Sequence, residues 1–213
     1  MSPKININIA NLRKYLNSEY LEFEKIRDLH IQFTSAKPFA HIELPDFLRE
    51  SVAQKLLTEL AKEEFTHKES DLFSFNQTAD LEITQSVFLT EFRDFLVTDF
   101  RLYMQAITGM TCKSQLDLAG TLYENTDYLL VHDDQLDDRN IAFLFYLSTM
   151  LADQGGSLNL FEQNDKLPTK VVKKIIPQFN TLAFFAVTDI SFHEVEEVYG
   201  DVQRIALGGW FHG

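Results

Sequence analysis

The sequence predicts a mainly β fold, a barrel or jelly roll with a layer of helices packed outside it. Three observations carry this. Up to Gly109, the longest runs place apolar residues at helical spacing. From Thr111 onward the apolar period falls towards two. Short strand-like runs then follow one another, which suits a barrel rather than alternating strands and helices.

Leu12, Leu16, Leu21, Phe23, Ile26 and Leu29 recur at helical spacing. Residues 11–29 therefore read as one helix, or as two broken at Asn17–Ser18. Residues 40–44 are a short strand candidate before Pro45. Asp46 is placed to cap the next helix, residues 49–63, with the stripe Val52, Leu56, Leu57 and Leu60. Residues 65–77 mix aromatic and polar side chains, and a strand is expected near 71–76. Residues 86–107 carry the strongest helical pattern: Phe88, Phe92, Phe95, Phe100 and Tyr103 form a core-facing stripe, and Gly109 stops it. Strand candidates then span 116–123, 128–131, 141–147, 157–161, 181–186, 193–198 and 204–210. Gly155–Gly156 supplies a turn or bulge, and Pro168 and Pro177 are read as lying between strands. Phe143, Phe145, Phe184 and Phe185 are expected mainly to build the walls. His41 and His67 belong to no ligand pattern and are read as structural or solvent-facing.

Residues 1–213 are read as a single domain, with 1–110 mainly helical support and 111–213 most of the β core. An apolar fraction of 45% is ample for that core, and 19 phenylalanines suit packing between sheet and helices. The net charge of −13 argues against a general nucleic-acid surface. It suits a basic protein or peptide partner, which an acidic field attracts. No run reaches the roughly eighteen apolar residues of a membrane span, and the start MSPKININIANLRKYL has no apolar targeting core. One cysteine, Cys112, permits no internal disulfide and fits a reducing compartment. The expected location is the cytoplasm, with the nucleus open to a eukaryotic protein.

The chemistry concentrates in YENTDYLLVHDDQLDDRNIAFLFYL, residues 123–147. If residues 128–134 are extended, His132 and Asp134 point the same way, because strand side chains repeat every two residues. With His193 from SFHEVEEV they make two histidines and a carboxylate, the facial set of non-haem Fe(II) sites. HxD alone is a weak signal, and Asp133, Asp137 and Asp138 also suit a solvated acidic loop. Arg204, eleven positions after His193 in an apolar alternating run, offers a planar fork for a carboxylate. A buried arginine needs a partner, and the candidate is the distal carboxylate of 2-oxoglutarate. Glu194, Glu196 and Asp133 are available in sequence to fix the histidine rings.

These residues, with GGSLNLF, IIPQFNTLAFFAVTDISFHEVEEV and RIALGGWFHG, resemble the Fe(II)- and 2-oxoglutarate-dependent prolyl hydroxylases over residues 116–213. Within that superfamily the chain is most similar to the catalytic domain of the ribosomal-protein prolyl 3-hydroxylases. The resemblance implies a double-stranded β-helix with His132, Asp134 and His193 as iron ligands. It implies that Arg204 holds the 2-oxoglutarate side carboxylate with help from Tyr123, and that Trp210 lies near the pocket wall. It further implies Fe(II), 2-oxoglutarate and O2 as cofactor and cosubstrates, with ascorbate as a stimulant. The substrate would be a proline-containing protein or peptide, such as a basic ribosomal protein. An oxygenase acting on free proline or another small molecule, and a non-catalytic metal-binding interaction module, are the competing readings.

Overall fold

The computed structural model describes residues 8–136 and 138–213; Asp137 of the acidic loop lies outside them. The first helical stretch does break where Asn17–Ser18 allowed it. Helix α1 (Ile9–Tyr15) ends as Leu16 forms an isolated β-bridge with Leu48. Asn17 then accepts a hydrogen bond from the Glu19 amide to open a tight turn, and α2 (Phe23–Ser35) follows. Helix α3 (Glu50–Leu60) is not capped by Asp46, as had been expected. Asp46 takes a left-handed turn (φ 48°), and Arg49 holds the cap position with no side-chain hydrogen bond.

The strongest helical stretch starts at the Ser86 cap. It runs as α4 (Val87–Phe95), a π turn (Leu96–Phe100) and α5 (Arg101–Thr108). Gly109 closes it at φ 72°, with its amide donating to the Gln105 carbonyl. The wider turn keeps Phe95, Leu96, Phe100 and Tyr103 all buried. Asp99, also in the turn, accepts from Asn11 Nδ2 at 2.5 Å.

The strands are β1 (His41–Leu44), β2 (Phe65–Glu69), β3 (Phe73–Thr78), β4 (Leu116–Tyr123), β5 (Tyr128–His132), β6 (Arg139–Tyr146), β7 (Leu158–Asn164), β8 (Leu167–Ile175), β9 (Thr181–Ala186), β10 (His193–Val195) and β11 (Arg204–His212). They pair in the order β1-β9-β6-β11-β4-β3-β5-β10-β7-β8, with β2 on β3, and the paired strands are antiparallel. The ends of this path meet: Lys173 of β8 lies 2.6 Å from Glu43 of β1. The result is a nearly closed double-stranded β-helix packed against the helices.

The strand expected near 71–76 is β3, and β2 before it pairs with it, so residues 65–78 form a hairpin. Pro168 lies inside β8 rather than between strands. That strand pairs only with β7, so a missing amide on its free side costs no ladder bond.

Alternation on β6, β9 and β11 sorts the chain into two interiors. Phe143, Phe145, Phe184, Leu207 and Phe211 face the helices and join one core with Phe47, Phe92 and Phe100. Ala142, Tyr146, Ala183, Phe185 and Ala206 face into the barrel. Phe185 is therefore a cavity residue and not only a wall residue. Phe100 is fully buried, and its ring meets those of Phe47, Phe95, Tyr103, Phe145 and Phe211. Cys112 is buried beside the same core, and burial pushes its thiol up to about 12, against the lowering effect of Arg101. It is no thiolate nucleophile at neutral pH.

Phe100→Ala removes the ring that joins helices to sheet, and denaturant unfolding is expected to show a loss of about 3–5 kcal/mol. A loss below about 1 kcal/mol would mean that the two layers are held together elsewhere.

Candidate metal and anion site

The metal cluster begins where β5 ends. His132 is the antiparallel partner of His193, the first residue of β10. Two histidines far apart in sequence thus become cross-strand neighbours, with ring centroids 4.2 Å apart. Asp134 reaches them by a different route from the one expected. It does not share an extended strand with His132, because β5 stops there and Asp134 sits at φ 63°. An aspartate tolerates that left-handed conformation better than most residues. The turn swings its carboxylate back, so that Oδ1 lies 3.3 Å from His132 Nε2 and Oδ2 lies 3.4 Å from His193 Nε2. The Ser191 hydroxyl donates to the Asp133 carbonyl at 2.9 Å and ties this turn to the segment before β10.

One ligand atom from each of His132, Asp134 and His193 lies within 4.8 Å of the others. Donors about 2.1 Å from one ion and at right angles would stand about 3.0 Å apart. The two histidine–carboxylate distances, one to each oxygen of Asp134, are close to that spacing. Asp134 and His193 are buried.

The ring orientation is set by the main chain. His132 Nδ1 lies 2.8 Å from the Leu130 carbonyl, and His193 Nδ1 lies 2.8 Å from the Ser191 carbonyl. A carbonyl can only accept, so each Nδ1 carries the proton and each Nε2 is left for a ligand. The acidic side chains available in sequence do not do this. Glu194 accepts from Asn159, Glu196 from Ser157 and Lys174, and Asp133 from the Gln135 amide.

The electrostatics favour positive charge at the centre of this cluster. Burial alone would lift the Asp134 carboxyl, but hydrogen bonding and charge from His132 and His193 hold it well below the usual range. Burial alone would lower His132, but Asp134 outweighs it and raises the imidazole. His41 and His67 are not part of the cluster. His41 Nδ1 faces the Phe39 carbonyl, and His67 is exposed beside Glu69.

The closed end of the same cavity holds a buried cation. Arg204 opens β11 opposite Tyr123 and is 0% exposed. Its guanidinium carbon lies 4.9 Å from the Tyr123 ring centroid and 5.3 Å from that of Tyr146. Nε donates to the Gly156 carbonyl at 2.7 Å. Only glycine can precede that carbonyl: Gly155 has φ 69°, and a Cβ there would lie 1.8 Å from the Glu197 carbonyl oxygen. Arg204 Nη2 and the Tyr146 hydroxyl are buried without a hydrogen-bond partner among the described residues. Burial raises both Tyr123 and Tyr146, so both phenols stay protonated donors. Unsatisfied buried donors on and beside a cation are costly, and an anion accepting from them removes that cost.

Tyr146 shares the inward face of β6 with Ala142 and Leu144, which places it beside Arg204. Trp210, expected near the wall, also donates from Nε1 to Asp134 Oδ2 at 2.9 Å. Apolar walls from Leu129, Leu158, Phe185 and Val195 join the metal cluster to the anion end in one cavity.

Comparison with known proteins agrees with this geometry. The profile described as 2OG-Fe(II) oxygenase superfamily matches residues 118–212. The chain belongs to that superfamily. It is 36% identical over 180 residues to mouse prolyl 3-hydroxylase OGFOD1, covering 83% of this chain and 33% of the mouse protein. It is 35% identical over 217 residues to prolyl 3-hydroxylase sudestada1 of Drosophila melanogaster, covering 95% of this chain and 40% of that protein. The chain thus spans between about a third and two fifths of the length of the curated relatives named here. Among solved structures, a Pseudomonas putida prolyl-4-hydroxylase shares the fold with a TM-score of 0.68 at 18% identity, covering 86% of this chain and 98% of the other. A prolyl hydroxylase from Trichoplax adhaerens, solved with a hypoxia inducible factor peptide fragment, gives a TM-score of 0.69 at 18% identity, covering 92% and 93%. As in other members of the superfamily, the histidine–carboxylate set here fits Fe(II).

Mn(II), a redox-quiet probe of the same donor set, is expected to raise the melting temperature of this chain. At one hundred times its Kd the ligand should contribute about 2.7 kcal/mol. Asp134→Ala and His193→Ala should abolish the shift in a thermal melt. A full shift in either variant would place the ion elsewhere.

Proposed function

We propose that this oxygenase hydroxylates a prolyl residue in a protein substrate, coupled to decarboxylation of 2-oxoglutarate to succinate and CO2. The observation that carries the reading is one cavity with a two-histidine, one-carboxylate cluster and, at its closed end, a buried arginine with an unpaired donor. The similarity to prolyl 3-hydroxylases supports a prolyl substrate, and ribosomal protein is the first class to test. The acidic chain would attract such a basic partner.

When bound at His132, Asp134 and His193, Fe(II) supplies the oxygen activation that turns loss of CO2 into C–H hydroxylation. The protein's own groups do the rest. The Leu130 and Ser191 carbonyls keep each Nε2 free of its proton and aimed inward. Asp134 supplies the negative charge among the three ligands. Arg204 Nη2, with the Tyr146 and Tyr123 hydroxyls, holds the far carboxylate of 2-oxoglutarate by charge-assisted and neutral hydrogen bonds. Gly156 fixes the guanidinium from behind. Phe185, Leu129, Leu158 and Val195 keep water from the bound cosubstrate.

Arg204→Met keeps the stem volume and deletes the fork. Loss of two charged hydrogen bonds, about 3 kcal/mol in all, should weaken 2-oxoglutarate binding on the order of 100-fold by calorimetry. Unchanged affinity would remove Arg204 from the anion site. For the reaction itself, peptide libraries that include ribosomal prolyl sequences are incubated with Fe(II), 2-oxoglutarate and O2, then read by mass spectrometry. The expected product carries one added oxygen on proline, with matching succinate and none from His193→Ala. Hydroxylation of free proline, or succinate release that no peptide stimulates, would overturn the protein-substrate reading.

A further inference from the structure

Asp134 is the one ligand of the cluster that no strand holds, and its carboxylate has two oxygens with which to meet an ion. What fixes it comes from the other side of the cavity mouth. Trp210 Nε1 donates to Oδ2 at 2.9 Å. An indole N–H is a donor only and carries no charge. It occupies one oxygen without competing for the charge on the other. Oδ1, 3.3 Å from His132, is thereby the oxygen left for an ion.

The indole must itself be held, and Arg139 holds it. Its guanidinium carbon lies 3.6 Å from the centroid of the Trp210 ring, the distance of flat stacking. The guanidinium stands between two carboxylates without binding tightly to either. Nη1 is 3.8 Å from Asp134 Oδ1 and Nε is 3.8 Å from Asp117 Oδ2, and Nε makes no hydrogen bond. Ordinary ion pairing would draw an arginine into a two-pronged contact with one acid. Here the stack on the ring is the closer contact.

We infer that Arg139 is a positioning residue for the metal-binding carboxylate, acting through Trp210: it clamps the indole, and the indole N–H fixes the rotation of the Asp134 carboxylate between the two histidines, with Oδ1 beside His132 and Oδ2 beside His193. The inference rests on the metal reading of His132, Asp134 and His193. Its sign separates it from a plain charge effect. Arg139 is a cation beside the site, so through space alone it repels a divalent ion, and neutralising it would tighten metal binding. A clamp predicts the reverse.

The test is Mn(II) affinity of the full chain without 2-oxoglutarate, by calorimetry, with the fluorescence of Trp210 read alongside. Trp210 is the one tryptophan in the sequence, so the emission reports this contact alone. Arg139→Met and Arg139→Lys should each weaken Mn(II) binding roughly 10-fold or more, the usual scale for groups that orient a ligand. Both should shift the emission. Trp210→Phe should weaken binding to a similar extent, and the Arg139→Met/Trp210→Phe double variant should lose no more than the worse single one. Wild-type affinity in Arg139→Lys would show that charge suffices and would overturn the clamp. Equal or tighter binding in Arg139→Met would do the same. If one Arg139 variant does not fold, the other decides. Failure of the unaltered chain to bind Mn(II) in a one-to-one ratio would instead sink the metal reading itself.

Discussion

The structure depends on three strands being apolar on one face and functional on the other. β6, β9 and β11 lie side by side, and each must satisfy the aromatic layer under the helices while lining the barrel. Burying a phenylalanine contributes about 1.5–3 kcal/mol, so the outward row of Phe143, Phe145, Phe184 and Phe211 fixes the register strongly. A slip of one residue would turn that row into the cavity and Arg204 into the helix layer. The helices are thus more than a cover. They set which side chains of β11 see the site.

Inside the barrel, the Arg204 cation and the Asp134 cluster line different parts of one cavity. Arg204 and the two tyrosines occupy the closed end, and Asp134 with its histidines lies towards the strand ends beyond it. Between them β11 and β6 contribute Gly208 and Ala142, whose small size leaves room for a ligand. On the proposed function, a dicarboxylate with a keto acid at one end would match that division and give the interior cation of a chain of net charge −13 its partner.

Much of this was legible in the sequence. β4 and β9 match the expected spans, β4 because its side chains largely alternate and β9 because it is a short, continuously buried run. His132, His193 and Arg204 stood out as polar side chains in or beside apolar runs, where burial is costly without a partner, and Asp134 stood out only by its two-residue spacing from His132. What was hidden has physical reasons. β8 is an edge strand, mostly exposed and rich in lysine, with a proline, so it carries no burial pattern. The π turn at Leu96–Phe100 shifts the helical phase without changing composition. The inward face of Tyr146 depends on register, which pairing decides and local sequence does not. The route by which Asp134 meets His132 was misjudged because a single left-handed residue looks like any other aspartate in a string of acids.

The imidazole locks have a consequence of a different kind. Their acceptors, at Leu130 and Ser191, are peptide oxygens, which every amino acid brings to its position. No exchange of side chain can delete them; only a bend in the backbone can. The tautomers on which ligation relies are therefore insulated from drift at 130 and 191, whereas a lock built from Glu194 would have been one codon from loss.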